Sequence, residues 1–152
     1  MVFPGQGASG GQTAGEAWEL ARRKAAGGEV PYQLRVFAGS VDLFARLREA
    51  GVNPGAVAGH SLGEYAAAVA AGSLALEDAV DLVAERDRLM TRASRRRPGI
   101  MVAVVGADPG EVARAAEEAA GVVVAANFNS PRQTVLSGER EAVEAAAERV
   151  GG

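Results

Sequence analysis

From Gln33 to Ala50 the apolar residues Leu34, Phe37, Val41, Phe44 and Leu47 recur at steps of three and four. That spacing puts them on one face of a helix, which Gly51 stops. The same rhythm predicts a short helix over Ala17–Ala26, closed by Gly27-Gly28, a second over 62–71, and a longer one over 77–93. In the longer one Val80, Leu82, Val83, Leu89 and Met90 are the apolar positions, and Glu77-Asp78 stand where the positive end of the helix dipole favours acids. Met1–Phe3 reads as the tail of a strand cut off by Pro4, residues 5–15 as a glycine-rich loop, and Ser94–Gly99 as a basic turn. Beyond Gly99 the period changes. Ile100–Val105, Val122–Ala126 and Gln133–Leu136 read as strands, Pro109–Ala120 as a helix begun by Asp108, and Glu139–Val150 as a closing helix. That order, β-α-β-β-α, is most of a ferredoxin-like module, whose full pattern ends in one more strand.

Composition narrows the class. The 152 residues are 48% hydrophobic, yet carry only four phenylalanines, two tyrosines and one tryptophan. Alanine and valine dominate instead, which suits helices packed closely on a sheet. A net charge of −3 suggests no general nucleic-acid role. Lys24 is the single lysine, and every other cationic side chain is an arginine. Cysteine is absent, which excludes disulfides and thiol catalysis. No stretch approaches the ~20 apolar residues that a membrane span needs, and no signal-peptide pattern opens the chain. A cytoplasmic chain without membrane or nucleic-acid partners is expected, and no cofactor or metal site is read.

The candidate chemistry lies at Val57-Ala58-Gly59-His60-Ser61-Leu62-Gly63. A short apolar run, Ala56–Ala58, feeds into Gly59-x-Ser61-x-Gly63, and a helical pattern begins at Glu64 with no loop between. On its own, Gly-x-Ser-x-Gly is equally a glycine-rich turn. With a strand before it and a helix after it, the segment has the layout of a nucleophile elbow, in which Ser61 presents an exposed Oγ above a hydrolase-like parallel sheet. The helix start behind it offers unpaired N–H groups to an oxyanion. Gly5-Gln6-Gly7-Ala8-Ser9-Gly10 also fits Gly-x-Gly-x-x-Gly. A dinucleotide site is not expected there, because no helix opens at the third glycine and no second strand ends in an acid ~20 residues later.

Val2-Phe3-Pro4-Gly5-Gln6-Gly7, Gly59-His60-Ser61-Leu62-Gly63-Glu64-Tyr65, Arg86-Asp87-Arg88-Leu89-Met90 and Asn127-Phe128-Asn129-Ser130-Pro131 follow one another in order. Together they resemble the malonyl-CoA:acyl-carrier-protein transacylases of fatty-acid synthesis. Leu62 is similar to the stand-alone enzymes, where modular polyketide synthases more often have glutamine. The resemblance implies acyl transfer from malonyl-CoA to the phosphopantetheine thiol of an acyl carrier protein, through an ester on Ser61. It implies that Arg86 grips the malonyl carboxylate, that the N–H groups of Gln6 and Leu62 form the oxyanion hole, and that Gln33 and Asn129 lie near the substrate. From the residues alone, Arg86 is equally a solvated helix arginine beside Glu85 and Arg88.

The family's general base is a histidine far downstream, in a stretch these 152 residues do not contain. The single histidine, His60, is expected to be a packed structural residue whose ring turns away from the Ser61 hydroxyl, since successive residues leaving a strand face opposite ways. The segment between 10 and 32 is shorter than usual for the family. The chain is therefore expected to be a truncated transacylase, with residues 1–97 a partial large domain and 98–152 a ferredoxin-like small domain lacking its last strand. Impaired turnover, marginal stability and self-association are expected of it, against a monomer for a whole enzyme. The alternative is a non-catalytic fragment or scaffold remnant. Arg95-Arg96-Arg97 reads as a solvated loop, or else as a docking contact for an acidic carrier protein or CoA phosphates.

Overall fold

The structure, a computed structural model, describes residues 1–5 and 14–151. The chain divides into two compact units, Met1–Arg92 and Ala93–Gly152. Both mix helices with a small sheet.

In the first unit, β1 (Val2–Phe3) pairs in parallel with β2 (Ala58–Gly59), setting Phe3 opposite Gly59. Around this pair lie α1 (Glu16–Lys24), α2 (Tyr32–Glu49), α3 (Gly63–Ala70) and α4 (Leu76–Arg96). The helical face expected in α2 is the one that is buried. Leu34, Phe37 and Val41 join Phe3, Trp18, Leu62, Val80 and Val83 in one core, and Phe44 meets the Phe3 ring edge-on at 5.7 Å.

One buried charge organises this unit. Asp42 of α2 is only 4% exposed, and its carboxylate accepts from the N–H groups of Ala17 (3.0 Å) and Trp18 (3.2 Å). The first turn of α1, which has no side-chain cap of its own, is thereby capped from another helix. Gly15 is required there, because a Cβ would land on the Asp42 carboxylate. Asp42→Ala is expected to destabilise the chain by about 1–3 kcal/mol, since it orphans buried N–H groups. Thermal unfolding would show this as a lower midpoint, and an unchanged midpoint would mean that the cap contributes nothing.

α4 differs from expectation in two ways. It runs on to Arg96, so Ser94–Arg96 are helical and the basic turn is not there; Arg95 and Arg96 sit in the last turn. Nothing before Pro98 breaks the helix, and cations are favourable at its C-terminal end. Its apolar stripe is also only half used. Ala79, Val80 and Val83 are buried, whereas Leu82, Leu89 and Met90 are exposed among the described residues. Only the first turns of α4 reach the core cluster.

The second unit contains β3 (Ile100–Val105), α5 (Pro109–Glu118), β4 (Val123–Ser130), β5 (Gln133–Gly138) and α6 (Arg140–Arg149). The sheet is antiparallel with β5 in the middle, Leu136 lying opposite Val102 on one side and Ala125 on the other. Val104, Val123 and Leu136 pack beneath Val112 of α5 and Val143 of α6, and Ala115, Ala116, Ala142, Ala146 and Ala147 let the helices approach closely. Asp108 caps α5 as read, accepting from the N–H groups of Gly110 (2.8 Å) and Glu111 (3.2 Å). β4 runs to Ser130, beyond the expected end at Ala126, because pairing with β5 holds Asn127–Ser130 extended across two irregularities in register. No helix among the described residues is long and apolar enough to cross a membrane.

Candidate active site

The turn between β2 and α3 is tight for a reason written in its glycines. A Cβ on Gly59 would strike the Gly63 carbonyl, and one on Gly63 would strike the Phe3 carbonyl at the end of β1. The chain can double back there only without side chains at these two positions. Between them Ser61 takes φ +53, a left-handed conformation that a non-glycine residue adopts at a cost of order 1–3 kcal/mol. The Gly63 N–H donates to the His60 carbonyl (2.9 Å) and the Glu64 N–H to the Ser61 carbonyl (3.1 Å), which locks the turn. Ser61 is exposed, while Leu62 beside it is fully buried and anchors the start of α3.

His60 is exposed rather than packed, in contrast to the sequence expectation. Its Nδ1 lies so near Gly5 that a Cβ on that glycine would be 2.7 Å away. The β2 strand ends at Gly59, so His60 stands on the rim of the turn and not within the sheet.

The tertiary fold brings Arg86 of α4 to this turn, although it lies 25 residues further along the chain. Its Nη2 donates to Ser61 Oγ at 2.8 Å, and its Nη1 donates to the Gln33 Oε1 of α2. Gln33 is 3% exposed, and its Nε2 in turn donates to the Met90 sulfur at 3.5 Å. The neighbouring charges take no part in this. Arg88 grips Glu85 through two hydrogen bonds, of 2.7 and 2.5 Å, and that hydrogen-bonded guanidinium holds the Glu85 carboxyl below the usual carboxylate range. Arg86 is thus half-buried, in contact with a serine and a glutamine.

Ser61, Leu62, Arg86 and Gln33 therefore belong to one cluster. Asn129 lies in the other unit, near the end of β4, where its Nδ2 donates to the Gln133 Oε1 across the hairpin (3.0 Å). Gln6 falls outside the described residues. Sequence reasoning treated Met90 as part of an apolar stripe and missed its contact with Gln33. The only signal was its position, one helical turn after Arg86.

The site thus joins an exposed serine on a strand-to-helix turn to an arginine and a buried glutamine. Residues 28–152 match the acyl transferase domain family. The malonyl CoA-acyl carrier protein transacylase of Escherichia coli K12 is 48% identical over 101 residues, covering 65% of this chain and 33% of that protein. The one from Haemophilus influenzae is 36% identical over an alignment covering 97% of this chain and 56% of that protein. Among solved structures, a malonyl-transacylase in complex with a type II polyketide-synthase acyl-carrier protein has a TM-score of 0.81 at 33% identity, covering 99% of this chain and 59% of that one. The chain belongs to the acyl transferase family, in its malonyl-CoA:acyl-carrier-protein transacylase branch. It spans between 33% and 59% of the length of these relatives.

Proposed function

We propose that this chain carries the acylation centre of a malonyl-CoA:acyl-carrier-protein transacylase, with Ser61 as nucleophile and Arg86 as the reader of the acyl carboxylate. The carrying observation is the 2.8 Å contact between Arg86 Nη2 and Ser61 Oγ. A malonyl ester on Ser61 would end within a few ångströms of a permanently charged planar fork, the group best matched to a carboxylate. In the first step Ser61 Oγ bonds to the thioester carbonyl carbon and the C–S bond breaks. CoA leaves as the thiol, carrying the equivalent of the Ser61 proton. In the second step the sulfur of the carrier's phosphopantetheine thiol bonds to the ester carbonyl carbon, the bond from that carbon to Ser61 Oγ breaks, and the thiol's own proton passes to Ser61 Oγ.

The Leu62 N–H, which no acceptor takes among the described residues, is suited to the oxyanion, and Gln6 is the second donor in this reading. Gln33 borders the carboxylate end, and Asn129 is the remaining substrate-binding residue. Residues 1–97 form the hydrolase-like large domain, a reading supported by the parallel β1–β2 pair feeding the Ser61 turn. Residues 98–152 form the ferredoxin-like small domain, supported by the β3-α5-β4-β5-α6 order with β5 central.

The test is selectivity. Arg86→Ala is expected to lower the preference of Ser61 for malonyl-CoA over acetyl-CoA about thirtyfold, equivalent to about 2 kcal/mol for a charge-assisted contact at a half-exposed site. Intact-mass kinetics with both thioesters would read the ratio. An unchanged ratio would make Arg86 a structural residue and remove the malonyl assignment.

A further inference from the structure

We infer that Met90 is a positioning residue for Arg86, its sulfur fixing which end of the Gln33 amide faces the guanidinium. The inference rests on the carboxylate-reading role proposed for Arg86. Gln33 is buried and offers one accepting end, Oε1, and one donating end, Nε2. A primary amide of this kind can turn over, because its two ends have almost the same shape. Arg86 can only donate, and a thioether sulfur can only accept. With Met90 Sδ at 3.5 Å from Nε2, one orientation satisfies both neighbours. Turned over, the amide would set N–H against guanidinium and oxygen against sulfur, leaving buried polar groups unmatched.

Arg86 and Met90 are four residues apart, on one face of α4, so a single α2 side chain can bridge them. The consequence reaches the nucleophile. Gln33 Oε1 occupies Nη1, which directs Nη2 to Ser61 Oγ and fixes the plane that an incoming carboxylate must share. Without the sulfur the Arg86 fork loses its fixed plane, and the selectivity it provides falls.

The experiment compares Met90→Leu, which keeps the volume and removes the acceptor, with Met90→Gln, which restores an acceptor at similar reach. Met90 is 40% exposed, so both replacements are compatible with the fold. NMR of the 152-residue chain would follow the Gln33 Nε2–H and Arg86 Nε–H signals, and intact-mass kinetics would follow the malonyl-over-acetyl preference at Ser61. Met90→Leu is expected to move both sets of signals and to lower the preference about fivefold, the effect of one lost neutral hydrogen bond. Met90→Gln is expected to bring signals and preference back towards the unaltered chain. Unmoved signals in Met90→Leu would overturn the inference, whatever loading shows. So would moved signals with an unchanged preference, where the unaltered chain does prefer malonyl. A chain with no malonyl preference at all, but with the expected NMR changes, would overturn the proposed function and leave the positioning of Arg86 standing.

Discussion

Ser61→Ala is expected to abolish covalent labelling by malonyl-CoA, while the unaltered chain gains the mass of one malonyl group. The argument is local. Ser61 is exposed, stands at φ +53 on a turn whose two glycines admit no side chain, and has a guanidinium on its oxygen. A positive group beside the hydroxyl stabilises the alkoxide character that develops as Oγ attacks. Alanine removes the only bond-forming atom and disturbs nothing in the core, because Ser61 is not part of it. Intact-mass spectrometry of both proteins after incubation with malonyl-CoA decides the matter, and a peptide map assigns the position. Equal labelling of the two chains would remove Ser61 as the nucleophile.

The second large effect is on turnover. Transfer of malonyl to a carrier protein by the 152-residue chain alone is expected at on the order of 10⁻³ to 10⁻¹ per second. An ordinary enzyme reaches ~10 per second, and a general base contributes typically ~10²–10⁴-fold. The partner on Ser61 Oγ is Arg86, and a guanidinium is always protonated and cannot accept a proton. The sequence holds one histidine, His60, and it lies on the rim of the turn beside Gly5. A quenched-flow or radiolabel assay with malonyl-CoA and a carrier protein reads the rate. Turnover near 10 per second by the chain alone would show that another base is present.

Much of this is legible in the sequence, because local rules govern it. Gly59 and Gly63 mark a turn that only small residues can make, and the turn places Ser61. Leu34, Phe37 and Val41 announced the buried face of α2, and Asp108 announced the start of α5. Where chain-local preference and tertiary pairing disagreed, the sequence misled. Asn127–Ser130 have little strand propensity, yet hydrogen bonding to β5 holds them in β4. The apolar periodicity of α4 was real, but periodicity states which face a helix could bury, and Leu82, Leu89 and Met90 are exposed among the described residues. The basic run at its end is helical, because arginine is a good helix former and Pro98 is the first residue to break the pattern.

The sequence by itself determined the turn, the nucleophile candidate and the order of the elements, since each depends on residues within a few positions of one another. Only the tertiary structure decided what Arg86 touches. Beside Glu85 and Arg88 it had two readings, and in the fold it donates to Ser61 and Gln33 while Arg88 takes Glu85. Asp42 capping α1 and the Gln33 amide held between Arg86 and Met90 belong to the same class. Each joins residues from different helices, and no local pattern encodes such a contact. A buried polar group takes whichever partner the fold brings within hydrogen-bonding distance, because leaving it without one is the costlier outcome.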